Sequence, residues 1–182
     1  MFMTCFFLFA GIAFAGSTVE MKTSVGMIQI ELNAEKAPET VRNFLNYVDR
    51  KYYDGTIFHR VIKGFMIQGG GFDDNEQRKE TLAPIKNEAN NGLKNIKGSI
   101  AMARTGVVDS ATSQFFINLA DNDFLNHRGS SAKTYGYAVF GQVIAGMDVV
   151  EKIGQIKTVA KSPVFRDFPE PKVTIESIRR VE

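Results

Sequence analysis

The sequence comprises 182 residues, of which 44% are hydrophobic, 23% are charged and 11% are aromatic. This length and composition predict one globular domain with a single core, and they exclude a disordered, collagen-like or low-complexity chain. A net charge of +2, one cysteine and two histidines exclude a strongly basic nucleic-acid surface, an intramolecular disulfide and a cysteine-based zinc site. We therefore expect neither nucleic acid nor a metal among the partners.

The first predicted element is a secretory signal peptide over residues 1–15. Residues 1–18 carry no charge, and an apolar run from Cys5 to Phe14 is too short to span a bilayer. It ends in Ala13-Phe14-Ala15, the small-x-small pattern of a cleavage site. A hydrophobic first strand or an uncleaved anchor stays an alternative for this run. Residues 1–4 contain no Lys or Arg, which leaves open a start codon upstream. Without residues 1–15 the chain has no cysteine, which suits an oxidising compartment.

Residues 16–182 are predicted to form one domain that begins with a β-hairpin. Val19–Thr23 and Met27–Leu32 alternate between polar and apolar residues, as half-buried strands do. From Val41 to Val48 the apolar residues recur at helical spacing instead. This pattern predicts a helix from about Pro38 to Arg50, with the proline in the first turn, where it is tolerated.

Short apolar runs of strand length, most of them bounded by glycine, make up the middle of the chain. They are residues 57–62, 65–68, 100–103, 115–119 and 137–143. A second helix is predicted from Met147 to Ile153, with Gly154 at its C′ position, and alternation over residues 172–181 predicts a closing strand. About eight short strands and two helices favour a mainly β fold, a closed barrel or sandwich with the helices over its ends.

The sequence lacks the short motifs of the common catalytic classes. There is no HExxH, GxSxG, CxxC, Walker A or EF-hand pattern, and Gly69–Gly71 is predicted to be a tight bend after a strand because no GK[ST] follows it. His59 and His127 stand alone and are predicted to be structural. Asp73–Asp74 and Asp121–Asp123 are predicted to cap solvated turns.

Two segments instead combine large apolar residues with a few polar ones. FHRVIKGFMIQGG spans residues 58–70, and SATSQFFI spans residues 110–117, followed by Phe124 and Leu125. An apolar pocket with a few convergent polar groups is typical of a ligand site. Phenylalanine and methionine at strand spacing are also typical of a core, so the residues alone leave both interpretations open.

These segments resemble the cyclophilin family of peptidyl-prolyl cis-trans isomerases. FHRVIKGFMIQGG matches the family signature FHR-x-x-x-GFM-x-QGG, and SQFFI and residues 137–141 follow in the same order and spacing. The resemblance covers essentially all of residues 19–181. The run MARTGVVDSATSQFFIN resembles the bacterial periplasmic branch, which implies a periplasmic enzyme. The resemblance implies a closed eight-stranded antiparallel barrel capped by two α-helices.

The resemblance also implies a groove that binds an X-Pro segment of a polypeptide client. Arg60 is the implied catalytic arginine, and Gln68 is implied to hydrogen-bond near the reacting amide. The implied substrate-binding residues are Phe65, Met66, Ala103, Arg104, Gln114, Phe116, Phe124, Leu125 and Tyr137. Within this set Ala103 and Arg104 would contact the residues before proline through backbone and side chain. Rotation about an amide needs no metal and no cofactor, so none is expected.

Two positions and one loop depart from the family pattern. Phe124 stands where eukaryotic members have a tryptophan, and phenylalanine cannot donate the indole N–H bond, so we expect weak cyclosporin binding with activity retained. Tyr137 replaces the family's groove histidine, and the loop Asn126–Gly136 is longer than the family minimum.

We expect a monomer. The alternatives are a proline-segment-binding chaperone module with little turnover and a small-ligand barrel unrelated to proline.

Overall fold

The computed structural model describes residues 18–181, so the predicted signal peptide lies outside the described residues. The strands are β1 Thr18–Thr23, β2 Gly26–Leu32, β3 Thr56–Ile62, β4 Met66–Asp73, β5 Ser99–Met102, β6 Phe115–Asn118, β7 Val139–Ala145, β8 Thr158–Val159, β9 Phe168–Pro169 and β10 Val173–Arg180. The helices are α1 Pro38–Asp49 and α2 Met147–Gly154, and a 3-10 turn covers Asp123–Leu125.

Eight of these strands form a closed antiparallel barrel. Their order around it is β1-β10-β3-β4-β6-β5-β7-β2, and β1 and β2 make the predicted hairpin, with Thr23 paired to Gly26 at its turn. The barrel prediction is therefore confirmed. The remaining two strands, β8 and β9, pair with each other. They were not predicted, because strands of two residues each are too short to show alternation.

The barrel interior and the two helices share one hydrophobic core. Along β2, Ile28, Ile30 and Leu32 are buried and Met27 and Glu31 are exposed, as the alternation predicted. The inward side chains pack in one cluster with buried residues of α1 and of α2. Burial of these apolar faces is the main stabilising contribution to the fold.

The N-terminus of α1 is capped by a residue distant in sequence. Ala37 offers no side-chain cap. The Glu88 carboxylate accepts the N–H groups of Glu39 at 3.1 Å and Thr40 at 2.8 Å, and the Thr40 hydroxyl at 2.7 Å. A carboxylate stabilises the positive end of a helix and satisfies its free N–H groups. This contact gives Glu88 a structural role at the start of α1.

The glycines at 69–71 lie inside β4, so the prediction of a bend after a strand is wrong. A Cβ on Gly70 would lie 2.8 Å from the Tyr53 ring, and a Cβ on Gly71 would lie 2.6 Å from the Gln114 side chain. Gly70 also has a φ of +79°, which side-chain-bearing residues rarely adopt. The glycines therefore let β4 continue while two large side chains pack directly on its backbone.

Helix α2 is one residue longer than predicted. Gly154 is its last residue rather than its C′ residue, and a Cβ there would lie 2.6 Å from the Leu119 side chain. The glycine is thus required by packing and not by a left-handed turn. Within residues 18–181, neither helix has the length and apolar character needed to cross a membrane.

Candidate active site

One row of residues crosses five neighbouring strands on the outer face of the barrel. The register pairs Arg60 of β3 with Gln68 of β4, and Gln68 with Phe116 of β6. Phe116 pairs with Ala101 of β5, which pairs with Val139 of β7. Side chains alternate along a strand, so the adjacent row belongs to the barrel core. That inner row contains Val61, Ile67, Ile117 and Ile100.

Four of the predicted pocket residues meet in a second apolar cluster, separate from the barrel core. Met66, Phe116 and Leu125 are buried in it, and Phe65 packs against them partly exposed. Ala103 and Tyr137, also predicted, border the same cluster. The cluster is therefore an apolar surface on the outside of the barrel, and the partly exposed rings of Phe65 and Tyr137 lie at its border.

Polar side chains border this apolar surface on the side of β3. The carboxamide of Gln68 donates from Nε2 to Oε1 of Gln114 at 2.9 Å. Nε of Arg60 lies 3.3 Å from Oδ2 of Asp167, and 42% of the Arg60 side chain is exposed. Asp167 was missed in the sequence, because it lies 107 residues after Arg60 in a segment without a recognisable motif.

Phe124 lies over the partly exposed Phe65. The two rings are stacked, with centroids 5.5 Å apart and planes inclined by 28°. Phe124 is 58% exposed, although an aromatic ring gains most from burial. Offset stacking on Phe65 therefore leaves one face of Phe124 available to a ligand.

Arg104 connects the site to the loop Asn126–Gly136. Its guanidinium lies 4.8 Å from the ring centroid of Tyr137. It also donates to the carbonyl oxygens of Thr105 at 2.9 Å, Ala132 at 2.7 Å and Gly136 at 3.0 Å. The side chain thus holds the loop against the site, and its predicted contact with residues before proline stays a prediction.

A buried network of asparagine side chains hydrogen-bonds to the backbone of two pocket residues, Phe65 and Leu125. Nδ2 of Asn122 donates to the carbonyl of Phe65 at 3.0 Å and to Oδ1 of Asn118 at 2.7 Å. Asn95 donates to the carbonyl of Leu125 at 3.2 Å and accepts from Asn118 at 3.2 Å. The sequence did not connect these residues with the pocket, because asparagines such as Asn95 and Asn122 are ordinary in loops and Asn118 is the last residue of strand β6.

His59 points away from the site that its neighbour Arg60 borders. It is 5% exposed and packs on Phe72 with ring centroids 4.7 Å apart. Burial lowers the pKa of His59 to about 4, so the ring is neutral near pH 7. His127 instead hydrogen-bonds through Nδ1 with the carbonyl of Tyr135 at 2.7 Å. In the described part of the chain no three His, Cys, Asp or Glu side chains are grouped to hold a metal.

The family model described as cyclophilin type peptidyl-prolyl cis-trans isomerase/CLD matches residues 18–180. The chain belongs to the cyclophilin family. This cyclophilin is 56% identical over 167 residues to a peptidyl-prolyl cis-trans isomerase of Acinetobacter baylyi, covering 92% of this chain and 87% of that protein. It is 55% identical over 160 residues to peptidyl-prolyl cis-trans isomerase B of Escherichia coli, covering 88% and 97%. The cyclophilin is therefore a peptidyl-prolyl cis-trans isomerase, as the resemblance implied.

Solved structures agree with this assignment. A cyclophilin-type isomerase of Cryptosporidium parvum superposes on this cyclophilin with a TM-score of 0.74 at 26% identity, covering 92% of this chain and 98% of that chain. A second crystal structure of the same parasite protein was solved in the presence of the dipeptide Ala-Pro and superposes with a TM-score of 0.73 at 26% identity, covering 91% of this chain and 99% of that chain. The barrel with two helices is thus the cyclophilin fold.

Proposed function

We propose that this cyclophilin accelerates X-Pro rotation by donating hydrogen bonds from Arg60 to the twisted amide. The barrier to rotation is about 18–20 kcal/mol and arises from the loss of amide resonance. In the twisted state the prolyl nitrogen becomes pyramidal and regains a lone pair. A donor that contacts the nitrogen only in that state lowers the barrier, whereas a contact made equally with the planar amide does not.

The row of Arg60, Gln68 and Phe116 across three adjacent strands is the observation that carries this proposal. It places a permanently charged donor directly beside an apolar surface. A proline ring that lies on Phe116, Met66 and Leu125 would bring its amide to the polar border. The ring would also displace water, and the hydrogen bond from Arg60 would strengthen in the drier surroundings.

The guanidinium of Arg60 has donors free for this role. Of its five N–H groups, Nε faces Asp167, and within residues 18–181 Asp167 is its only hydrogen-bond partner. The terminal nitrogens are therefore available to a substrate. Gln68 donates one of its two amide N–H groups to Gln114, which leaves the other N–H group and the oxygen available near the same amide.

The required rate enhancement sets the size of the effect. Unaided isomerisation takes tens to hundreds of seconds, so millisecond turnover needs about four to five decades, or roughly 5–7 kcal/mol. One charge-assisted hydrogen bond in a dry pocket supplies about half of that, roughly 3 kcal/mol. The apolar walls and the second polar group would contribute the rest by holding the ring in place.

The proposed substrates are X-Pro segments of folding polypeptides. The parasite cyclophilin solved in the presence of Ala-Pro supports this class of ligand. We further propose that residues 1–15 are removed as a signal peptide and that the enzyme acts as a monomer in the periplasm. The uncharged apolar start of the chain and the absence of cysteine after residue 15 support this location. Phe124 in place of tryptophan supports weak cyclosporin binding.

The test compares residues 16–182 with the Arg60→Ala variant on an Ala-Pro reporter peptide. We expect catalysis by the wild type and a loss on the order of 100-fold in kcat/KM in the variant. Its unfolding free energy should stay within about 1 kcal/mol, because an exposed ion pair contributes little to stability. Arg180→Ala is a matched control, since Arg180 pairs with Asp49 at 2.7 Å and is 47% exposed.

Near-wild-type activity of the Arg60→Ala variant would contradict the proposed mechanism. Absence of catalysis in both folded proteins would favour the proline-binding module with little turnover. In that case the protein should still bind the Ala-Pro peptide but should not accelerate cis–trans isomerisation of its Ala-Pro bond.

A further inference from the structure

The segment between α2 and β10 forms a short hairpin beside the active site. We call Thr158–Pro169 the strap. Its ends pair in antiparallel register as β8 and β9. Its bend is closed by the N–H of Lys161 on the carbonyl of Phe165 at 2.8 Å, and by the N–H of Phe165 on the carbonyl of Ser162 at 3.1 Å. The strap therefore has a defined conformation of its own.

Two phenylalanines anchor the strap to the barrel. Phe165 and Phe168 are 8% and 3% exposed, and they form a small apolar cluster with Ile57 and Phe72. The rings of Phe72 and Phe165 meet edge to face, with centroids 5.0 Å apart. This cluster lies outside the proline pocket, and it fixes the strap against β3 and β4.

Asp167 lies between these two anchors and is held at its backbone as well. Its carbonyl accepts the N–H of Val61 at 2.9 Å, and Val61 directly follows the catalytic arginine. The Asp167 carboxylate then lies 3.3 Å from Nε of Arg60. The buried rings of Phe165 and Phe168 and this backbone hydrogen bond therefore fix the Asp167 carboxylate beside Nε of Arg60.

This contact contributes little to stability, because both side chains are about 40% exposed (42% and 36%). It does restrict an otherwise flexible side chain. A free arginine samples many rotamers, and a partner on Nε reduces that freedom while leaving the terminal nitrogens to point elsewhere. Holding a reacting group in place before the substrate arrives raises the rate of the chemical step.

We propose that Asp167 is a positioning residue that holds the Arg60 guanidinium with its terminal nitrogens toward the prolyl amide. The inference rests on the proposed function of Arg60 and goes beyond it by giving the strap a part in the reaction. It predicts an effect on turnover rather than on substrate binding. If the nearby carboxylate acted instead by partly neutralising the arginine charge, the effect would have the opposite sign. In that case removal of the carboxylate would speed catalysis.

The test is the Asp167→Asn variant of the chain, assayed on an Ala-Pro peptide. Asparagine retains the size of the side chain and the backbone bond to Val61. We expect kcat to fall about three- to fivefold with KM unchanged, as an exposed charged contact allows. Asp49→Asn is the matched control, because Asp49 forms a similarly exposed pair with Arg180 away from the site, and it should leave kcat unchanged.

A second comparison asks whether Asp167 acts through Arg60. In the Arg60→Ala background the Asp167→Asn change should cause no further loss of activity. The NMR signal of the Arg60 Nε–H group should also move and exchange faster with water in Asp167→Asn. If Asp167 had a merely structural role, Asp167→Asn would lower activity in the Arg60→Ala background as well. It would also leave the Arg60 Nε–H signal and its exchange rate unchanged.

Unchanged or increased kcat in Asp167→Asn would overturn the inference, as would an equal loss in the Arg60→Ala background. Full activity of Arg60→Ala by itself would instead overturn the proposed function. The two failures are therefore distinguishable in one set of four proteins.

Discussion

Replacing Asn122 with alanine should weaken both the fold and the proline pocket. The change removes the hydrogen bonds to the Phe65 carbonyl and to Oδ1 of Asn118, each worth about 1 kcal/mol. The Phe65 carbonyl keeps the N–H of Leu119 at 2.9 Å. Oδ1 of Asn118, which is fully buried, loses its donor, at a further cost of about 1–3 kcal/mol.

These contributions predict a loss of roughly 3–5 kcal/mol in unfolding free energy, and a fall of about 6–20 °C in Tm for a chain of this size. The KM for an Ala-Pro peptide should rise several-fold, because Asn122 connects the backbone of Phe65 to the turn that carries Phe124 and Leu125. Urea unfolding and steady-state isomerisation measure the two effects. Asn90→Ala, at an exposed position, is the control.

A loss below about 1 kcal/mol in Asn122→Ala with an unchanged KM would refute this reasoning. It would mean that the asparagine network packs beside the pocket residues without fixing their positions. A loss of stability with unchanged KM would retain the energetic argument and reject the link to the site.

Two further predictions concern single aromatic positions. Burial lowers the pKa of His59 to about 4, so below about pH 6.5 the unfolded chain binds a proton that the folded chain does not. Stability should therefore fall as the pH drops from 6.5 toward 4, by roughly 2 kcal/mol at pH 5. His59→Phe should lack this component in urea unfolding at pH 7 and pH 5, and an equal loss in both proteins would count against it. Phe124→Trp supplies an indole N–H and should tighten cyclosporin inhibition about five- to tenfold, whereas unchanged inhibition, or nanomolar inhibition of the wild type, would disagree.

The barrel was predictable from two patterns: alternation in its half-buried strands, and short apolar runs in strands such as β5 and β6, which are buried on both faces. Alternation in β1 and β2 and the helical spacing in α1 follow directly from one face meeting the core. The glycine run in β4 was misread, since glycine has no side chain with which to alternate. Its place in a strand depends on Tyr53 and Gln114, which are far away in the sequence.

The residues of the site were likewise predictable where they lie in strands and unpredictable where they lie in loops. Arg60, Gln68 and Phe116 lie in strands, so the register brings them together as soon as the strands pair. Asp167 and Asn122 reach the site from loops, across 107 and 57 residues respectively. No periodicity governs a loop, so only the folded chain reveals that these side chains border or support the pocket.

The measurement that tests the central claim most directly compares binding and turnover in the same experiment. NMR exchange on an Ala-Pro peptide gives both Kd and the isomerisation rate on the enzyme, for wild type and for Arg60→Ala. If Arg60 bonds the amide chiefly when it is twisted, the rate should fall on the order of 100-fold while Kd changes less than about threefold. A large loss of affinity with the bound rate retained would show that Arg60 only binds the planar substrate, and would contradict the account.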